Sequence, residues 1–470
     1  MRKFLQVVGI AALVILVVAP AMAIDFKFSG SYRFRMYAAD GIGAETGSVT
    51  TSPFAKTSNN QRNQSDFRAR PYFIVSDDNG NIQSHLRFEI GDVTFGDSSD
   101  GTVGRSSGGT PPLDGVNVET KWAFIDFQLP FGIPARLRAG AQPFYLPKGT
   151  ILDDEAMGLR LYGSQGMFKY EAFWFQVDER TNGATVTGAA AGALASGPAA
   201  DDVDVYGAKI DLALSPAFNP YLYGVYRHGS VVTSPVVGTN DTASSDGYWI
   251  GLGATGKLGI VNYDFDFVYG YDEPYLRSAA VGGFFQTRTG WMIDTGAEMP
   301  IGPVTAGLRF TYSTGDKADS TGNSGDTNED FPAIMYAGGA PTSSMGNYGP
   351  KGSQIFWYSN DSTYWRGGYC SQCANNYAIG AYVQYNPVKA LMTRLAYFYI
   401  GATKSSTNYF TGKSQIGQEI SLVSEYELYT GFKLWGVAGI LFTPNNGQTA
   451  AGGVELKDVT LFSVGMRHDF

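Results

Sequence analysis

The chain has 470 residues, among them 60 Gly, 29 Tyr and 30 Phe, and only 16% of its residues are charged. Soluble domains usually carry about 25% charged residues, so a typical soluble fold is disfavoured. The formal net charge of −9 argues against a nucleic-acid partner. This composition favours one large β structure in which apolar and water-facing residues alternate.

The first 23 residues read as a secretory signal peptide. Arg2 and Lys3 precede an apolar run from Val7 to Val18, and Ala21-Met22-Ala23 is a small-x-small cleavage site. The run is too short to span a bilayer, which takes about 20 residues. We therefore predict that residues 1–23 are cleaved and that residues 24–470 form a single exported domain.

From residue 24 onward, apolar and polar residues alternate in strand-length segments. In the first segment, Tyr32, Phe34 and Met36 oppose Arg33 and Arg35. The whole chain yields about eighteen such strands, with about sixteen as the alternative. Short turns rich in Gly, Pro and Asn join strands into hairpins, and long polar stretches connect one hairpin to the next. An all-β, antiparallel up-and-down transmembrane barrel is predicted, with short periplasmic turns and long extracellular loops.

A soluble β-sandwich or propeller is the competing fold. Both also alternate apolar and polar residues along their strands. A propeller should show a repeat of about 40–50 residues, which is not found here. A sandwich interior rarely carries so many Arg and Asp side chains on one continuous wall.

Two hairpins carry a family resemblance. Residues 122–142, WAFIDFQLPFGIPARLRAGAQ, resemble the porin hairpin that turns at Phe-Gly and returns to a Gly-Arg-Gln end, replaced here by Gly140-Ala141-Gln142. GQEISL at 417–422 resembles the penultimate hairpin of alginate-export-like and substrate-specific porins, with Ser421 where that family has Asp. The last strand alternates and ends on Phe470, which resembles the assembly signal of bacterial outer-membrane barrels. The chain thus resembles Gram-negative outer-membrane porins.

The resemblance implies a place in the bacterial outer membrane. It also implies contact with membrane lipid and lipopolysaccharide, and with the assembly machinery through Phe470. General porins are usually homotrimers, whereas many substrate-specific relatives are monomers, so both states stay open. In porins the loop after the hairpin that residues 122–142 resemble folds into the barrel and forms the constriction, and the matching stretch Pro143 to Glu155 is short for that role. Its carboxylates Asp153, Asp154 and Glu155 could line a constriction or be exposed loop residues.

The strand parity places charged side chains on the lumen wall. A basic wall is predicted from Arg33, Arg35, Arg68, Arg70, Arg87, Arg136 and Arg138. An acidic wall is predicted from Asp264, Asp266, Asp294, Glu298, Glu425 and Glu427. Facing walls of opposite sign would place a field across the lumen and favour ions of one sign. The alternative is that these charges only solvate and stiffen a wide barrel.

The longest loop, 315–375, is a candidate lid. Its aromatic residues, which include Phe356, Trp357 and Tyr364, could narrow the mouth, contact a neighbouring subunit or pack within the loop. Its two cysteines, Cys370 and Cys373, are the only ones in the chain and are predicted to form a local disulfide. Its carboxylates do not match a calcium loop. No metal or cofactor is expected.

The sequence predicts a porin, a water-filled channel for passive diffusion of ions and small hydrophilic solutes. The arginines of the basic wall, which form a ladder on adjacent strands, would set the charge preference of the channel. The alternatives are a channel specific for an anionic solute, or a barrel that serves as a sleeve or scaffold around a partner such as an electron-transfer protein. Only three His residues occur, and no Gly-x-Ser-x-Gly elbow between a strand and a helix accompanies them, so an enzyme is not predicted.

Overall fold

The computed structural model describes residues 24–40, 61–96, 118–178, 203–232, 242–244, 246–277, 284–316, 327–332, 334, 349–357, 364, 375–404, 415–444, 449–450, 454–455 and 458–470. The predicted signal peptide and both cysteines lie outside these ranges. Among the residues that the structure describes, no helix is both long enough and apolar enough to cross a membrane.

Eighteen long strands form the wall, as predicted. They are β1 (Ile24–Asp40), β2 (Gln61–Asp77), β3 (Ile82–Thr94), β4 (Val118–Gln128), β5 (Ala135–Tyr145), β6 (Asp153–Gln165), β7 (Phe168–Asp178), β8 (Val203–Leu212), β9 (Asn219–Val232), β10 (Gly247–Leu258), β11 (Val261–Arg277), β12 (Phe284–Ile301), β13 (Val304–Ser313), β14 (Tyr377–Val388), β15 (Leu391–Gly401), β16 (Gln415–Tyr429), β17 (Phe432–Phe442) and β18 (Val459–Asp469). The described chain also has a 3₁₀ turn, Pro147–Gly149, and three short strands, Thr242–Ser244, Thr449–Ala450 and Val454–Glu455.

The barrel closes because β1 pairs with both β2 and β18. All of these pairings are antiparallel, and Arg33 lies directly opposite Arg467 across the seam. Beyond the last strand residue, the Gly30 N–H donates to the Phe470 carbonyl at 2.8 Å and the Phe470 N–H donates back at 3.1 Å. The seam therefore leaves no open sheet edge between β1 and β18.

All connections at one end of the barrel are short, and we call this the short-turn end. Two of them fall where Asp77-Asp78-Asn79-Gly80 and Pro300-Ile301-Gly302-Pro303 predicted turns. Gly80 and Gly302 have φ values of 67° and 59°, a left-handed conformation that glycine adopts readily. The opposite end carries the longer connections and is called the long-loop end.

The strand parity predicted from the sequence is confirmed by burial. On β1, Phe28 and Met36 are 52% and 47% exposed, whereas Arg33 and Arg35 are 3% and 0% exposed. Outward aromatic rings also stack from strand to strand near the long-loop end. The Tyr206, Tyr226 and Tyr248 rings are separated by 6.2 Å and 4.9 Å between successive centroids. An apolar outer band with aromatic rings near its edge is the surface that lipid-facing barrels present.

The inner face is not polar throughout, which differs from the expected pattern of one apolar and one wet face. Phe175, Val205 and Trp249 point inward and are fully buried. They belong to a cluster that includes Leu146 and Ile151 from the connection between β5 and β6. Inward apolar side chains are stable here because loop residues fold into the barrel and cover them.

Candidate functional site: the lumen wall and two inward loops

The predicted arginine ladder contains a compact buried group on β1, β2 and β3. Arg35 Nε donates to both oxygens of the Asp66 carboxylate, at 2.9 and 2.7 Å. Arg33 donates to the Asp92 carboxylate, and Arg68 Nε lies 3.7 Å from an Asp92 oxygen. We call these five residues the paired arginine cluster. Because its carboxylates lie between the arginines, this part of the wall is not a run of bare positive charge.

The other predicted basic residues contact carboxylates or aromatic rings. Arg70 pairs with the Glu89 carboxylate, and the Arg87 guanidinium lies 4.4 Å from the Trp122 ring centroid. A further group is centred on the Asp126 carboxylate, which accepts hydrogen bonds from Arg136, Arg138 and Tyr162 at 2.6 to 3.1 Å.

Access to the lumen differs sharply along this wall. The Arg35 side chain is 0% exposed, whereas those of Arg136 and Arg138 are 23% and 17% exposed. In these contacts the seven predicted arginines face four carboxylates. A solute in the lumen therefore meets Arg136 and Arg138 more readily than Arg33 or Arg35.

Residues 146–152, which join β5 to β6, fold into the barrel and are called the short inward loop. Leu146, Ile151 and Leu152 are 0% exposed, and the Leu146 N–H donates to the Leu152 carbonyl at 2.9 Å. The Phe144 ring at the end of β5 lies 4.6 Å from the Phe175 ring. Apolar burial against the wall thus holds the loop inside the lumen.

Lys148 at the tip of this loop reaches the acidic wall. Its ammonium group donates to the carboxylates of Asp264 on β11 and Asp294 on β12, and to the Asp294 carbonyl at 3.0 Å. Arg309 on β13 donates to both oxygens of Asp264 at 2.7 and 2.8 Å. The predicted acidic residues Asp264 and Asp294 are therefore brought together, and two cations share them.

The carboxylates predicted either to line a constriction or to be exposed loop residues belong to a wall strand. Asp153, Asp154 and Glu155 are the first residues of β6 and pair with Tyr145, Phe144 and Pro143. Glu155 accepts from Lys121 at 3.1 Å. The residue of this region that crosses to the far wall is Lys148, because the chain turns inward before β6 begins.

A second part of the chain, residues 349–357, also lies inside the barrel and is called the long inward segment. Its Ile355, Phe356 and Trp357 side chains are at most 6% exposed. The buried Glu419 carboxylate on β16 accepts from the Ser353 hydroxyl at 2.7 Å and from the backbone N–H groups of Gln354, Ile355 and Phe356. One carboxylate thus satisfies several donors of the segment at once.

Two predicted acidic-wall residues anchor the same loop region. Lys351 donates to the Glu298 carboxylate at 2.7 Å, and Tyr382 donates to it as well. The Tyr364 hydroxyl donates to Glu425. Burial and the neighbouring Glu425 carboxylate raise the pKa of Tyr364, so its hydroxyl stays protonated as a donor. Glu298 and Glu425 are therefore engaged by described loop residues.

The last two predicted acidic residues have separate surroundings. Asp266 accepts from the Tyr221 and Tyr223 hydroxyls, each at 2.9 Å. Glu427 accepts from the Gly431 N–H at 3.2 Å in a short turn. Glu427 therefore lies at the short-turn end, away from the carboxylates that hold the loops.

A cavity of about 670 Å³ opens beneath the short inward loop. Its charged lining residues are Lys148, Lys169, Lys209, Asp211, Asp264 and Arg309. Within the described ranges, no group of three or more His, Cys, Asp and Glu side chains is arranged to hold a metal ion.

Sequence reasoning missed several residues of this site. Asp66 shares the face of Arg68 two positions away, so strand parity could have found it. Lys148 and Lys351 lie in loops, where no alternation marks the inward side chains.

Known structures share this architecture. Pseudomonas aeruginosa OccK8 (OprE) superposes with a TM-score of 0.56 at 11% sequence identity, covering 95% of this chain and 98% of that one. Acinetobacter baumannii OccAB1 superposes with a TM-score of 0.51 at 11% sequence identity, covering 96% of this chain and 98% of that one. Pseudomonas aeruginosa OpdK with vanillate superposes with a TM-score of 0.50 at 11% sequence identity, covering 94% of this chain and 98% of that one. The chain has the fold of an outer-membrane porin. No protein-family model and no curated protein matches the sequence.

Proposed function

We propose that the protein is a channel of the bacterial outer membrane for passive diffusion of ions and small hydrophilic solutes. The observation that carries this proposal is the closed barrel of eighteen strands with apolar aromatic side chains outside and ionised side chains inside. Such a wall is stable with lipid on one side and water on the other. The porin fold and the signal-like sequence of residues 1–23 support the location.

The purified protein, refolded in detergent and added to a planar lipid bilayer, is expected to give stepwise increases in current. Heat-denatured protein from the same preparation is the control and should give none. Protein that migrates as a folded barrel but never conducts would contradict the proposal.

We further propose that the accessible arginines give this wall a preference for anions, while the buried ones support it structurally. Two unit charges about 4 Å apart interact by about 1 kcal/mol in water and about 4 kcal/mol at an effective dielectric constant of about 20. Arg136 and Arg138 therefore contribute enough to change permeation severalfold. A channel specific for an anionic solute is the narrower form of this proposal. The sleeve alternative gains no support, because loop residues of the chain itself fill part of the lumen.

Replacing Arg136 and Arg138 together by Gln should shift the reversal potential in a KCl gradient toward cation selectivity. Asp126 keeps the hydrogen bond from Tyr162 at 2.6 Å, so the wall gains net negative charge without an orphaned carboxylate. The control is Lys389→Gln in the exposed short turn between β14 and β15. Equal reversal potentials for the double variant and this control would leave only a structural role for the two arginines.

A further inference from the structure

We propose that Lys148 and Lys351 are specificity-determining residues that hold two loops against the acidic wall, so that loop position sets both the width of the pore and the sign of its charge. This inference rests on the proposed channel function. It assigns to part of the acidic wall a role as a docking surface for loops.

Both loops are anchored on the same strand. Asp294 and Glu298 are four residues apart on β12 and both point inward, since side chains two and four residues apart share a face. Asp294 binds Lys148 of the short inward loop, and Glu298 binds Lys351 of the long inward segment. Asp264 on the neighbouring β11 also binds Lys148, and Tyr382 on β14, two strands away from β12, also binds Glu298.

The lysines neutralise the surface on which they dock. With the loops in place, Lys148 is shared by Asp264 and Asp294, and Lys351 covers Glu298. If a loop moves away, its cation leaves with it and the carboxylate remains on the wall. Displacement of either loop therefore makes the acidic wall more negative, and a negative wall favours cations.

The same displacement also widens the lumen. The short inward loop places Leu146, Ile151 and Leu152 inside the barrel, and the long inward segment places Ile355 and Phe356 there. These side chains occupy cross-section that ions would otherwise use. Conductance and cation preference should therefore rise together, which distinguishes loop movement from the loss of a charge alone.

The test compares Lys148→Gln and Lys351→Gln with Lys169→Gln in single-channel recordings. Lys169 is an exposed lysine of β7 that lines the same cavity and belongs to neither loop. The two loop variants should raise conductance and shift the reversal potential toward cations. Lys169→Gln should shift the reversal potential without raising conductance. Loop variants that behave as Lys169→Gln does would overturn the inference.

A charge exchange tests the pairing itself and guards against misfolding. Glu298→Lys alone and Lys351→Glu alone should each raise conductance, and the double variant should return it toward the wild-type value. Lys351→Arg, which keeps a cation at this position, should leave conductance unchanged. A double variant whose conductance is no closer to the wild-type value than that of the two single variants would contradict the pairing. A silent wild-type protein would contradict channel function, whereas a conducting wild type with unaffected variants would contradict only the docking role.

Discussion

At the scale of single residues, the paired arginine cluster separates charges that support the wall from charges that a solute can reach. Arg35 and Asp66 are both fully buried and joined by two hydrogen bonds. Removing one partner of a buried ion pair costs about 3–5 kcal/mol, because the other charge is left uncompensated. These arginines are therefore poor targets for altering selectivity.

Arg35→Gln should lower the stability of the folded barrel by about 3 kcal/mol or more, since it leaves Asp66 without its main partner. Arg136→Gln, at a more exposed position, should lower it by less than about 1 kcal/mol. Denaturant unfolding in lipid vesicles, followed by tryptophan fluorescence, measures both. Similar losses for the two variants would contradict the structural role of the buried cluster.

The double variant Arg35→Gln with Asp66→Asn removes both charges. Because two neutral amides can hydrogen-bond to each other, it should recover part of the stability lost in Arg35→Gln. A double variant less stable than Arg35→Gln would show that Asp66 makes other contacts that stabilise the barrel without Arg35.

The alternation of residues was enough to find the inward arginines but not their partners. Asp66 was within reach of that reasoning because it shares a face with Arg68. Asp92 was not, because the register between β2 and β3 shifts between Phe67 and Ala69, and such a shift changes which residues face inward. The sequence therefore predicted the arginines of this ladder but not the carboxylates with which they form ion pairs.

At the scale of elements, Glu419 accepts four hydrogen bonds from the long inward segment. Glu419 is 0% exposed and receives the Ser353 hydroxyl together with three backbone N–H groups. Hydrogen bonds to a charged group contribute about 1.5–3 kcal/mol each when removed. Glutamine keeps the shape of the side chain but has one acceptor oxygen and no charge.

Glu419→Gln should therefore release the segment more often and expose the peptide bond after Lys351 to trypsin. Each 1.4 kcal/mol lost corresponds to about a tenfold larger open population, and cleavage follows that population when reclosing is fast. Mass spectrometry of the folded barrel after limited digestion measures this cut. Glu427→Gln, in β16 beside the short turn, is the matched control and should leave it unchanged.

The strands and short turns could be predicted because each has a local signal. A strand has its period of two, and the turns have Gly, Pro or Asn where the backbone requires them. The inward loops have no such signal, because their position depends on contacts with residues more than a hundred positions away, as with Lys148 and Asp264. For the same reason the inward Phe175 and Trp249 could not be predicted to lie in an apolar interior.

At the scale of the whole molecule, barrel closure depends on a close approach at the seam. A Cβ atom on Gly30 would lie 2.7 Å from the Arg70 carbonyl oxygen and 2.8 Å from the Phe470 ring. The Phe470 ring also lies 5.3 Å from that of Phe28 and 5.5 Å from that of Tyr32. No larger residue fits at position 30 unless the seam shifts.

Gly30→Val should reduce the yield of closed barrel and destabilise it by about 1–3 kcal/mol, the usual cost of overpacking. Gly436→Val on β17 is the control, because a Cβ there meets nothing within 4 Å. Heat-modifiable migration on electrophoresis reports the closed fraction of each variant. A normal yield of Gly30→Val would mean that the seam tolerates a side chain at this position.

The spacing of the two anchors on β12 makes the loops sensitive to ionic strength. Four residues of a strand span about 13 Å, which exceeds the screening length of about 8 Å at physiological salt but is well below that of about 30 Å at 0.01 M. In dilute salt, a carboxylate uncovered by one departing loop strengthens the hold on the remaining lysine. The two loops are then expected to open one at a time, because the departure of one holds the other in place, whereas at physiological salt they move independently and each contributes its own current level.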